Sequence, residues 1–171
     1  QVVKNRANVS ERLSALPNAG AVDGFPVLVV INEEYQGLYT FNIPKDKWMF
    51  GISNENDLVV TVDDYSQATG FYALETDIGV DDNGSFEIEY KPDDVTDDEV
   101  QEKLNAFISA VLNSTEENFE TTVGEHCDLD SFIDYVCFHS LITGLDGEGK
   151  NYILTSYDMG KWFITSYDMD S

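Results

Sequence analysis

The spacing of apolar and polar residues changes once along the chain, near residue 95. Before it, apolar residues come in short runs separated by turn formers, which is strand spacing. PVLVVI at 26–31 and LYTFNI at 38–43 flank the turn NEEYQG and predict a hairpin. LVVTV at 58–62 and GFYALE at 70–75 predict two further strands. VDDNGS at 80–85 predicts a turn with Asn83-Gly84 at its tip, leading into the alternating strand FEIEY. A short helix, VSERLSAL at 9–16, precedes all of these and is closed by Pro17 and Gly20.

After the change the period is helical. Thr96 and Glu99 form a capping box, and Val100, Leu104, Phe107, Ile108 and Val111 then fall on one face. Ser114 to Glu117 repeats the capping pattern and predicts a short helix around Phe119 and Val123, stopped by Gly124. A third helix starts at Asp128 or Asp130 and runs through SFIDYVCFHSLIT to Gly144. It is apolar nearly all round, the pattern of a buried central helix, with Cys137 as a small buried hydrophobe and His139 as a packed, hydrogen-bonded core residue. NYILTSYDMGKWFITSYDMD then predicts a second hairpin, turning at Asp158-Met159-Gly160. Strands, then helices, then a terminal hairpin make an α+β order rather than an alternating βαβ one.

Composition narrows the function classes. The 171 residues carry 33 acids against 9 bases, a net charge of −24, which argues against nucleic acid and anionic membrane surfaces as direct partners. Cations are the natural counterions, and a nucleotide would need a divalent metal to enter this field. No apolar run reaches membrane-spanning length, and two cysteines imply no disulfide framework. The spacing of His126, Cys127, Cys137 and His139 matches no familiar zinc pattern. The chain opens on QVVKNR without Met and stops after DMDS, which reads as an excised fragment.

The pentapeptide TSYDM occurs twice, at 155–159 and 165–169. In the first copy Asp158, before Met-Gly, is turn chemistry. In the second, strand alternation puts Trp162, Ile164, Ser166, Asp168 and Asp170 on one face. A half-exposed strand with a solvated acidic end is the plain reading of that stretch alone. Upstream, however, the third helix ends at Gly144 and is followed by LDGEGKN, which places Asp146, Lys150 and Asn151 directly before the hairpin. Helix, Asp, Asn five later, hairpin, Asp is the order that protein-kinase-like enzymes use. There one Asp accepts the hydroxyl proton, and the Asn and the later Asp hold metal. Asn151 and Ile153 share a strand face, which would set Ile153 beside Trp162 under an adenine.

Three blocks carry a wider likeness: GFPVLVVINEEYQGLYTFNIPKDKW at 24–48, DLDSFIDYVCFHSLITGLDGEGKNYIL at 128–154 and KWFITSYDMDS at 161–171. In this order they resemble the kinase-like family of spore coat protein H (CotH). The resemblance implies one partial, atypical protein-kinase-like domain over residues 1–171, truncated at both ends. It implies ATP with Mg²⁺ or Mn²⁺, and phosphorylation of Ser or Thr in a partner protein. By position Asp146 resembles the catalytic aspartate, and Asn151 and Asp168, with Asp170, resemble the metal ligands. Trp162, Ile153, Lys150 and Lys45 are the candidate nucleotide contacts. Many relatives have Glu where this chain has Asn42, so a lysine–glutamate pair is not implied. The alternative is a catalytically silent scaffold that assembles in a spore coat, cell surface or phage-like particle.

Overall fold

The computed structural model of the chain describes residues 11–18, 20–21, 23–42, 44–45, 47–52, 56–79, 84–142, 144 and 147–167. The element order is α1 (Glu11–Ala15), β1 (Gly24–Ile31), β2 (Glu34–Asn42), β3 (Leu58–Val62), β4 (Glu87–Tyr90), α2 (Asp97–Asn113), α3 (Phe119–Gly124), α4 (Leu129–Ile142), β5 (Tyr152–Ser156) and β6 (Trp162–Ser166). This is α+β with antiparallel sheets.

One sheet is the β1–β2 hairpin; the other has the order β4-β3-β5-β6. The terminal hairpin therefore docks β5 along β3 at long sequence range, with Leu58 opposite Ser156 and Val62 opposite Tyr152. LVVTV is buried throughout because both faces of β3 are covered. Leu58, Val60 and Val62 face the main core with Tyr152, Leu154, Trp162 and Ile164, closed by Val100, Leu104, Phe107 and Ile108 of α2. Val59 and Ile153 face the other way, onto Met49 and Phe50.

α2 forms where its capping box lies: the Glu99 N–H donates to Thr96 Oγ1 at 3.2 Å and the Thr96 N–H donates to Glu99 Oε2 at 2.8 Å. At α4 the Ser131 N–H donates to Asp128 Oδ1 at 2.8 Å, so Asp128 caps the helix start. The first TSYDM ends β5 and then turns, through Asp158 and Met159. The Asp158 N–H donates to the buried carboxylate of Asp57, the Met159 N–H donates to the Asn56 carbonyl, and Lys103 Nζ donates to the Met159 and Gly160 carbonyls. Arg12 Nη1 donates to Asp57 Oδ1 at 2.7 Å, so the buried carboxylate is paired.

Four expectations are corrected. Residues 70–75 form turns, not a strand: Gly70, Phe71 and Tyr72 N–H groups donate to the Ser66, Ala68 and Gln67 carbonyls. Local bonding frees Phe71 to place its ring 5.2 Å from Phe107 and 6.1 Å from Tyr152, at the centre of the aromatic core. Ser114 does not open α3. Its hydroxyl donates to the Val111 carbonyl at the end of α2, and α3 follows Asn118. α4 is not a buried central helix: only Tyr135 and His139 are buried, and Leu141 is 83% exposed, because β6 and α3 cover just one side. Cys137 is exposed with that outer side, and Cys127 is the buried cysteine. The turn assigned to 80–85 falls mostly on residues 80–83, outside the described residues.

Candidate functional site

The far end of the four-stranded sheet is where β3 stops, β5 starts and β6 stops. Asn151 sits there, half-buried, at φ 58°. This left-handed conformation suits Asn better than most side chains, because its short amide bonds locally. Its N–H donates to the Val62 carbonyl at 2.7 Å, and its own carbonyl accepts from the Tyr167 N–H at 3.0 Å. The backbone of Asn151 is thus fixed between β3 and the end of β6. Tyr152, next in the chain, is buried and donates its phenol to the Thr69 carbonyl at 2.6 Å.

The loop before Asn151 is tied to α4. Gly147 N–H donates to the Gly144 carbonyl at 3.2 Å. Tyr135 Oη donates to the Gly147 carbonyl at 2.8 Å. Burial pushes the Tyr135 phenol above its ordinary pKa, so it stays a donor. His139 Nδ1 lies 3.2 Å from the Gly144 carbonyl, and His139 Nε2 lies 2.9 Å from Ser166 Oγ. A Cβ on Gly147 would stand 2.2 Å from His139 Nδ1, so the approach of loop to helix requires glycine.

Lys45 reaches the same end. Its ammonium pairs with Asp63, which follows β3, and lies 5.2 Å from the centre of the Tyr167 ring. Both partners are partly exposed, so the pair itself contributes little stability. Lys150 is half-buried within the loop. Asp146, Asp168 and Asp170 lie outside the described residues. Gly144 and Gly147 near Asp146, and Ser166 and Tyr167 before Asp168, are described: His139 bonds both Gly144 and Ser166, and Asn151 bonds Tyr167.

A family model described as CotH kinase protein matches residues 19–171. The chain belongs to this CotH kinase family. Comparison with curated proteins gives no match. The matched span holds every site residue that the sequence singled out in this CotH chain, from Lys45 to Asp170. The kinase designation of the CotH family points to nucleotide- and metal-dependent chemistry. The donors present suit such a group: a neutral amide on a fixed backbone at Asn151, and a cation at Lys45 beside Tyr167. Among the described residues no three of His, Cys, Asp and Glu converge as a metal group; the three candidate carboxylates, Asp146, Asp168 and Asp170, are not among those residues.

Two expected nucleotide contacts of this CotH chain are not brought together. Trp162 is 0% exposed in the main core, with Lys103 Nζ 4.8 Å from its ring centre. Ile153 is equally buried, but against Met49 and Phe50 on the opposite face of the sheet. The register explains it: Trp162 pairs with Ser156 and Ile153 with Thr165, so the two side chains point apart. Neither offers a surface on which a base could stack. What sequence reading missed is the pair Tyr135 and His139, whose rings pack with centroids 4.2 Å apart. Their i, i+4 spacing on α4 was the available signal. Among the described residues no helix is long and apolar enough to cross a membrane.

Proposed function

We propose that this CotH-family chain has an atypical kinase-like fold and is an ATP- and divalent-metal-dependent kinase acting on Ser or Thr hydroxyls of a partner protein. The observation that carries the reading is the hydrogen-bonded meeting of three segments: the loop flanking Asp146, the fixed backbone of Asn151, and Ser166–Tyr167 immediately before Asp168. Bound ATP with its metal ion supplies the phosphoryl group and neutralises its charge. Asp146 accepts the proton of the attacking hydroxyl. Asn151, Asp168 and Asp170 hold the metal, since carboxylates with one neutral amide bind it without cancelling all its charge. Lys45 and Lys150 are the phosphate contacts.

Calorimetric titration with ATP, in Mg²⁺ and in Mn²⁺, tests this. The expected result is metal-dependent binding by the wild type that is lost in Asp168→Ala, with the melting temperature unchanged. Binding that persists in Asp168→Ala, or none with either metal, overturns it. The second reading, a catalytically silent assembly protein, is favoured by the apolar side chains that β1 and β2 expose, among them Phe25, Leu28, Val30, Leu38 and Phe41. Absence of nucleotide binding together with self-association or partner binding would support it.

A further inference from the structure

We infer that His139 is a positioning residue that ties Gly144, ahead of Asp146, to Ser166, ahead of Asp168; this rests on the kinase reading above. His139 is 6% exposed on α4, and both ring nitrogens are engaged by other elements. A carbonyl oxygen can only accept, so Nδ1 carries the hydrogen and donates to Gly144. In the neutral ring Nε2 is then an acceptor, and it takes the hydroxyl hydrogen of Ser166. Gly144 stands two residues before Asp146, and Ser166 two residues before Asp168. One imidazole therefore spans the approach to both aspartates.

The ring has little freedom to do otherwise. Tyr135 packs on it at 4.2 Å between centroids and bonds Gly147, the residue after Asp146. Gly147 itself lies against the ring edge. The loop is thus held on both sides of Asp146 by one face of α4, and the strand by the same ring. Gly144 and Gly147 of the loop and Ser166 of the strand are joined through one face of α4, a support that acts without any group touching the substrate.

Two measurements test the inference on the full chain. The first needs no nucleotide: ¹⁵N-edited NMR of the histidine rings should show His139 as a fixed Nδ1–H tautomer, with its Nε2 resonance shifted in Ser166→Ala. A ring that averages between tautomers, or is indifferent to Ser166→Ala, overturns the inference. The second is Mn²⁺·ATP titration. Ser166→Ala and His139→Gln should weaken binding about tenfold, the usual loss when an outer-shell partner is removed. Ser166→Thr, which keeps the hydroxyl, should restore it, and Ser166→Ala should melt near the wild type. If Asp168→Ala abolishes binding while Ser166→Ala and His139→Gln bind as wild type, the positioning role is wrong and the kinase reading stands. No binding by the wild type overturns both.

Discussion

The chain contains two antiparallel hairpins built by similar local rules and put to opposite use. β1–β2 turns through Asn32 and Glu33 at φ 52° and 68°; β5–β6 turns through Asp158 and Met159 at φ 53° and 54°. Such pairs of left-handed residues match the twist of the strands they join. β1–β2 is about as apolar by sequence as β5–β6, yet nearly every residue in it is exposed, and Leu28 and Leu38 are 70% and 67% accessible. β5 is buried over its whole length. β5 has β3 on its free edge and packs into cores on both faces, while β1 and β2 make their extensive contacts with each other. Hairpin formation is thus a local property and burial is not. A lone two-stranded ribbon is marginal in water, so β1–β2 belongs to the part of the molecule that opens first.

The largest effect expected from this contrast comes from Leu154→Ala in β5. A fully buried leucine cut to alanine costs about 2–5 kcal/mol, read as a lower urea midpoint. A cost below about 1 kcal/mol would mean that β5 is no better supported than the ribbon.

A smaller effect comes from Lys103 on α2, whose ammonium lies 4.8 Å from the centre of the Trp162 ring. Burial pushes the Lys103 ammonium down to about 8 from its ordinary 10.5. Between those values the unfolded chain still holds a proton that the folded chain has released, so stability from this group rises with pH across that window. Below about 8 both states are charged and the slope vanishes. Urea melts at pH 7.5, 9 and 10 should therefore show the wild type gaining stability relative to Lys103→Met. Above about pH 9 the buried Cys127 thiol, pushed up to about 12, works the other way, because only the unfolded chain ionises. Comparison with Lys103→Met separates the two. Equal slopes would show that Lys103 is solvated.

The smallest effect is expected in the ribbon. Leu38→Ala should change global stability by no more than about 0.5 kcal/mol, because its side chain already meets water. Amide exchange should find β1 and β2 opening long before β5. A loss as large as that of Leu154→Ala would show that a partner buries the ribbon in solution.

Much of this was legible from sequence. The Thr96–Glu99 box placed α2, since capping is settled within four residues. LVVTV gave β3, and Asp158-Met159-Gly160 gave the terminal turn. GFYALE was misleading because its apolar residues feed a local turn and an aromatic cluster rather than a ladder. The order Asp146, Asn151, Asp168 was readable as a candidate site, and the binding of its flanks to one another by His139 and Ser166 was not. Those residues are 27 apart, and nothing local links them.

By itself, then, the sequence determined the α+β class and most helix and strand positions, and it offered Asp146, Asn151 and Asp168 as candidates for phosphoryl transfer. It could do so because caps, turns and periodicity act over a few residues. Tertiary structure alone decided which hairpin is core, which face Trp162 and Ile153 take, and that α4 keeps one side uncovered. Each of these depends on register and on contacts between segments distant in the chain, and a one-residue change of register sends every side chain of a strand to the other face.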